Sequence, residues 1–402
     1  MAELTRQGSS ESMSTDTRLP SLTGLRFVAA AMVFLHHATF ANLFAAEKAA
    51  NTFVSIVALG NTGVTFFFIL SGFVLTWSAR PTDTPPRFWR RRFFKIYPNH
   101  IVVFAVAALL IGSGVATFGV TAPLELPAAL ANLTLVHAWR HDLAVVFSVN
   151  LVAWSLACEV FFYLLFPLLH RIIKRINPQQ LWAWAGVVVA AIIAVPFLAR
   201  ALPNEPPIPQ VGMTTWEIWF VQVFPPVRML EFILGMLLAR LILSGRRMPV
   251  GFGGAAAITI AAYALTPFFP PTFRLAATMA VPLGLLIAAA ATADATRQRS
   301  WLASRPMVWL GDISYAFYLW HYMVIMTIVS MLAAPGVGMS TPSALGLLVL
   351  MFAVTILLSW LLYSIVERPV MRHFATARRY RALPAAAGSG DDHTPSQREA
   401  SR

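Results

Sequence analysis

Residues 63–73 read Gly63-Val64-Thr65-Phe66-Phe67-Phe68-Ile69-Leu70-Ser71-Gly72-Phe73, inside an apolar run that extends from about 53 to 79. The apolarity goes all round and does not alternate with period two, so a helix is favoured over a strand of a β-barrel. At about 1.5 Å of rise per residue, a run of this length crosses the ~30 Å of hydrocarbon in a bilayer. Working outward, further runs lie at about 22–46, 96–117, 148–170, 181–199, 216–239, 250–270, 275–293, 307–333 and 343–366. Ten spans are therefore expected, in an all-α polytopic membrane protein.

Composition agrees. Of 402 residues, 58% are apolar and only 12% are charged, against roughly 45–50% and 25% in ordinary soluble domains. Mean hydropathy is +0.68. Too few charges remain to solvate a soluble globule of this size. The net charge of +13 follows topology. With the N-terminus inside, the inward loops carry 15 Lys and Arg residues, among them Arg90, Arg91, Arg92, Lys95, Arg246 and Arg247, and the outward loops carry four. That asymmetry puts both termini in the cytoplasm and removes any need for a nucleic-acid partner. The expected organisation is a polar tail over 1–21, a transmembrane domain over 22–370 and a basic, unstructured tail over 371–402. No cleavage site follows the first apolar run, which is expected to stay as an anchor. An inverted repeat of the transporter kind is not visible. The longest outward segment, about 118–147, is too short to fold alone.

Ionisable residues inside such spans are costly, and each is a candidate for function. Arg26 and His37 lie eleven apart in the first span. At 100° per residue they differ by about 20° in direction and about 16 Å in depth. The imidazole is thereby expected near mid-membrane, where a neutral-range group can serve as a general base. Glu159 lies within the fourth span and needs a partner; orienting a histidine is a role that fits. Arg228 and Glu231 can pair along one helix face, a structural role more readily than a catalytic one. His321, with Asp312 and Tyr315 before it, could line the same cavity as His37. Cys158, the single cysteine, excludes a disulfide framework, and apolar burial argues against a nucleophile. His137 and His141, four apart in an outward loop, have no further ligand nearby, so a surface role is expected and no metal site. Arg90 to Pro98 is the densest basic cluster. It reads equally as topology with anionic-lipid attraction or as capture of a phosphorylated cytosolic cofactor.

Six segments, in order, resemble the membrane-bound acyltransferase family 3. Arg26, ten residues and His37 are similar to its Arg-x10-His signature, and Gly63 to Phe73 to its Gly-Val-x-x-Phe-Phe-x-Leu-Ser-Gly-Phe segment. Arg92 to Pro98 resembles Arg-x-x-Arg-Ile-Tyr-Pro, with Lys95 in place of the second arginine. Residues 154–167 resemble Trp-Ser-Leu-x-x-Glu-x-x-Phe-Tyr-x-x-x-Pro, with Val160 where a second glutamate is frequent. Gly311 to His321 and Glu367-Arg368-Pro369 are similar to the closing elements. Phe27 follows Arg26 where glycine is common, and Tyr322-Met323 lacks a proline often found there.

The resemblance covers about 20–375 and implies an integral plasma-membrane O-acyltransferase, of bacterial type. It implies acyl-CoA, acetyl-CoA above all, as cytoplasmic co-substrate, with no bound cofactor or metal. The acceptor would be a hydroxyl-bearing glycan or a glycosylated, macrolide-type metabolite. On the matching positions, His37, Arg26 and Glu159 are expected to be catalytic; Arg92, Lys95, Tyr97, Ser71, Tyr315 and His321 are expected to contact substrate. The alternatives are a polytopic transporter or flippase for a glycan or metabolite, and a non-catalytic membrane scaffold.

Overall fold

The computed structural model describes residues 19–80, 83–115, 125–209, 211–332 and 338–375. Of the expected tails 1–21 and 371–402, residues 1–18 and 376–402 lie outside the described residues, while Pro20 and Ser21 open the first helix and Met371–Ala375 form a helical turn. Within the described residues the architecture is all-helical, with only two isolated bridges, Phe44 with Met339 and Ile208 with Met213.

The helices are α1 (Pro20–Ala38), α2 (Glu47–Val57), α3 (Thr62–Trp77), α4 (Pro85–Gly112), α5 (Leu126–Leu133), α6 (Leu143–Val146), α7 (Ala153–Lys174) and α8 (Leu181–Ala199). They continue with α9 (Thr215–Glu217), α10 (Pro225–Leu243), α11 (Phe252–Leu265), α12 (Ala280–Ala295), α13 (Arg305–Asp312), α14 (Ser314–Leu332) and α15 (Thr341–Leu362). Proline stands in the first turn of α1, α4, α10, α13 and α15, where its missing N–H would have had no intrahelical partner. α9 opens on a reciprocal capping box between Thr214 and Glu217.

Seven helical stretches are long and apolar enough to cross a membrane, against ten expected. The other three expected spans coincide with α10, α11 and α12. α10 carries Arg228, Glu231 and Arg240, while α11 and α12, at 14 and 16 residues, rise only about 21 and 24 Å. Boundaries also move. The run 216–239 is broken at Phe224, because Pro225 and Pro226 start a new helix after the π-helical turn Ile218–Val223. The run 307–333 splits at Ile313 into α13 and α14.

α3 and α10 make the closest crossing. A Cβ on Gly72 would lie 1.9 Å from the Phe232 carbonyl oxygen, and one on Gly235 would lie 1.9 Å from that of Ile69. Two backbones meet there without side chains between them. α1 is wedged among α12, α13 and α14, with Ser21 Oγ donating to Asp294 Oδ1 at 2.6 Å. The basic end of the bundle holds the start of α1, α4 and α14 and the end of α7, α10 and α15.

Candidate functional site

A shaft-like cavity of about 150 Å³ opens within the bundle between α1, α3, α4, α7, α13 and α14. Along α3 it runs from Leu75 up to Val64, eleven residues or about 16 Å. Seven residues singled out from the sequence line it: Arg26, Ser71, Arg92, Lys95, Glu159, Asp312 and Tyr315. The polar groups crowd the basic end; Val64, Phe67, Ser155 and Tyr318 close the other.

Each wall is held by specific bonds. Ser71 Oγ donates to the Tyr163 hydroxyl at 3.4 Å, and that hydroxyl donates to Glu159 Oε2 at 3.1 Å, one turn along α7. Lys95 Nζ forms an ion pair with Glu367, lies 5.5 Å from the Tyr315 ring centroid, and Tyr315 Oη donates to the Ile96 carbonyl at 3.1 Å. Glu367 also accepts from Asn99 Nδ2 at 2.6 Å. The π-helical turn Tyr363–Glu367 turns this carboxylate inward, where it is 2% exposed. Arg92 spreads over the Phe88 and Tyr163 rings, 5.8 Å from each centroid. Arg26 makes no hydrogen bond or ion pair with the described residues, and its guanidinium faces the cavity beside Glu159 and Asp312.

His37 and His321 lie outside this cavity and bond to each other. His37 Nδ1 is 2.8 Å from His321 Nε2, and His321 Nδ1 is 2.6 Å from the Tyr318 carbonyl oxygen. A carbonyl only accepts, so His321 carries its proton on Nδ1 and presents a lone pair at Nε2. His37 must then donate from Nδ1, which leaves the lone pair of His37 Nε2 unused by any described residue. The sequence placed Glu159 as the partner that orients His37. The structure assigns that position to His321, because Glu159 is engaged with Tyr163 below the roof of the shaft.

Depth is corrected as well. α1 ends at Ala38 and the chain turns through Thr39–Ala41 into Asn42, whose φ is 47°. His37 thus sits in the last turn of α1, at the far end from the basic loops and not midway. Arg26 lies about 16 Å below it on one unbroken helix, too far to steady an oxyanion beside the imidazole. Tyr97 leaves the site: its hydroxyl donates to the Thr134 carbonyl at 3.0 Å and its ring stacks on Phe93. Glu367, Asn99, Tyr163, Ser155 and Tyr318 were not singled out as site residues, although all but Asn99 fall in motifs quoted above.

The remaining polar candidates are structural. Arg228 and Glu231 pair at 3.1 Å with 3% and 2% exposure, and Arg228 Nη2 also donates to Thr65 Oγ1 at 3.2 Å. Cys158 is fully buried and donates to the Val223 carbonyl. His141 is exposed and stacks on Trp216, 4.1 Å between centroids. No group of three His, Cys, Asp or Glu side chains suited to a metal occurs among the described residues.

His137 is a correction. It was expected on the surface, yet its exposure is 0%, since the segment around α5 and α6 folds over it. Burial pushes its imidazole down to about 3 from an ordinary value near 6.5, with His100 adding to the shift. The unfolded chain takes up this proton below about pH 6.5 and the folded one does not until about pH 3. Stability is therefore complete above pH 6.5 and declines as pH falls through that window, by at most ~1.4 kcal/mol per pH unit for this one group. The solubilised protein should lose thermal stability from pH 7 to pH 5, and His137→Phe should lose less; parallel losses in the two proteins would refute the assignment.

Comparison with known proteins matches residues 19–364 to the family described as Acyltransferase domain (acyltransferase 3). The chain is 40% identical to the acyltransferase MdmB of Streptomyces mycarofaciens over 377 residues, covering 91% of this chain and 95% of that protein. It is 28% identical to the exopolysaccharide production protein ExoZ of Rhizobium meliloti, over 84% of this chain and 96% of that one. The peptidoglycan O-acetyltransferase OatA of Listeria monocytogenes is 24% identical over 88% of this chain, which matches 56% of that longer protein. No solved structure matches. A nearly full-length family match, with a 40% identical relative, shows that the chain belongs to the acyltransferase 3 family.

Proposed function

We propose that the protein is a plasma-membrane O-acyltransferase that moves a short acyl group from acyl-CoA, entering at the basic end, to a hydroxyl of a glycan or glycosylated metabolite. The observation that carries this reading is the alignment of a polarised His37–His321 pair with a shaft whose opposite mouth is lined by Arg92 and Lys95. In this reading α10, α11 and α12 join the seven longer stretches to make ten crossings, and the 15-to-4 distribution of basic residues supports a cytoplasmic shaft mouth. Its depth of about 16 Å suits an extended pantetheine arm. A neighbouring cavity of about 210 Å³ shares Leu75 and Arg92 with the shaft and adds Arg80, Arg91 and the stacked rings of Phe88 and Phe166. Guanidinium groups beside aromatic faces suit a phosphorylated nucleotide.

In the reaction, His37 Nε2 takes the proton of the acceptor hydroxyl as its oxygen attacks the thioester carbonyl. The tetrahedral intermediate collapses, the C–S bond breaks, and the coenzyme thiolate recovers the proton from His37 to leave as the free thiol. His321 holds His37 in the required tautomer, and Arg26 grips the donor within the shaft. Glu159, kept in place by Tyr163, offers Arg26 a nearby counter-charge. OatA acts on peptidoglycan and ExoZ in exopolysaccharide production, as their names state, which supports a carbohydrate hydroxyl as acceptor.

Mass spectra of envelope glycans and secreted metabolites from a strain lacking the gene and one carrying it back test the reading. One product should lose an acyl group in the first and regain it in the second. Unmodified product trapped inside the deleted strain would instead favour a transporter.

A further inference from the structure

The shaft ends one ring short of the histidine pair. Its closed end is formed by Val64 and Phe67 of α3, Ser155 of α7 and Tyr318 of α14. The Tyr318 phenol lies between the shaft and the histidine pair. On one side it lines the shaft, and on the other its ring is 5.5 Å from that of His321, whose centroid is 5.0 Å from that of His37. The phenol is latched. Ser155 Oγ and the Tyr318 hydroxyl lie 2.8 Å apart, and each is placed to donate to the Val152 carbonyl, at 3.0 and 3.3 Å. Phe67 meets the Tyr318 ring edge-on at 6.0 Å between centroids.

A thioester rising from Arg92 and Lys95 must therefore displace or pass this roof before its carbonyl meets His37. Polarity changes along the way. The charged groups Arg26, Arg92, Lys95, Glu159 and Asp312 line the lower part, while Val64, Phe67, Phe68 and Leu156 line the upper part with the hydroxyls of Ser155 and Tyr318 and no charge. That gradient suits a ligand with a polar stem and an apolar tip. A two-carbon acyl group asks little of such a roof, and each added methylene has to be packed against Phe67 and Tyr318.

Resting on the acyl-CoA reading above, we propose that Phe67 and the Tyr318–Ser155 latch select the acyl group by size, admitting short chains to His37 and holding longer ones below the roof. Phe67 and Tyr318 are specificity-determining residues in this account; neither exchanges a proton with the substrate.

The test measures free-thiol release from acetyl-, butyryl- and hexanoyl-CoA by membranes of an expressing strain. Metabolite extract of the deletion strain supplies the acceptor pool, and membranes of the deletion strain give the blank. Phe67→Ala is expected to raise the hexanoyl-to-acetyl ratio of kcat/KM at least tenfold, since misfit of a single methylene is worth about 10–200-fold. Tyr318→Phe, which keeps ring and backbone but frees the latch, should move the ratio the same way by a smaller factor. Phe67→Leu should give a smaller shift of the same sign and serves where Phe67→Ala does not fold. A wild-type enzyme that turns over acyl-CoA, with the ratio unmoved in the folded variants, overturns the roof. A wild-type enzyme inert toward all three donors overturns the acyl-CoA reading itself, and the roof with it.

Discussion

Replacing His37 by alanine is expected to reduce acyl transfer by about 10²–10⁴-fold, the usual worth of a positioned general base, while the solubilised protein stays folded. The side chain packs in the last turn of α1 beside Phe40 and Tyr322, and its hydrogen-bond partners are His321 and the Val33 carbonyl one turn back on its own helix. Its loss leaves the α1 packing against α12, α13 and α14 intact. His321→Phe is expected to act through His37. It removes the acceptor at His321 Nε2, so the Nδ1 proton of His37 is no longer fixed, and the fraction of rings with a free Nε2 falls. At least a tenfold drop in kcat should follow, with KM for acyl-CoA near wild type. The double variant should be little worse than His37→Ala alone, because residues acting as one unit are not additive. Additive losses would show that the two rings work separately. Single-turnover measurement of thiol release, with size-exclusion profiles as the folding control, decides between these outcomes.

The largest structural effect is expected at the α3–α10 crossing. In Gly72→Val or Gly235→Val the new Cβ would stand 1.9 Å from a main-chain carbonyl oxygen of the facing helix, and no rotamer change can relieve a backbone contact. The helices must part, which exposes the packing of Phe68, Phe73 and Phe232, all of them almost fully buried. It also pulls on Thr65, which bonds to Arg228. Overpacking in a dense core costs about 1–3 kcal/mol and occasionally more, and here two backbones are involved. Either variant should aggregate or show a lowered thermal midpoint on extraction. Gly186→Ala on α8, where a Cβ meets nothing within 4 Å, should instead be neutral or stabilising by up to ~1 kcal/mol. Equal behaviour of the Gly72 and Gly186 variants would sink the account. Ser71 sits next to Gly72 in the same turn, so the crossing that demands glycine also holds one wall of the shaft.

Much of this was legible in the chain itself. A run such as Gly63 to Phe73 is apolar on all sides, and the backbone polarity of a lipid-exposed segment leaves a helix as its outlet. The motifs quoted from Arg26 to Pro369 led to the family. Arg26, Ser71, Arg92, Lys95, Glu159 and Tyr315, drawn from five separate segments, do meet around one cavity. Arg26 and His37 do share the one unbroken helix α1, as the first apolar run implied. What it could not supply was where the helix stops, and that alone moved the imidazole from the middle to the far end.

Partners were beyond the sequence for a different reason. A buried charge or imidazole needs some partner, but which one depends on the rotation and offset of helices far apart in the chain. So Glu159 turned to Tyr163 on its own helix, Lys95 met Glu367 across 272 positions, and His37 met His321 across 284. His137, four residues from an exposed neighbour, was sealed by the folding of a loop whose composition looks like surface. Sequence determined the fold class, the family and the set of chemically competent residues, because these follow from local hydrophobicity and short motifs. Only the tertiary structure decided which of them touch, which nitrogen of His37 faces His321, and that a ring stands between the shaft and His37, because those depend on contacts between helices.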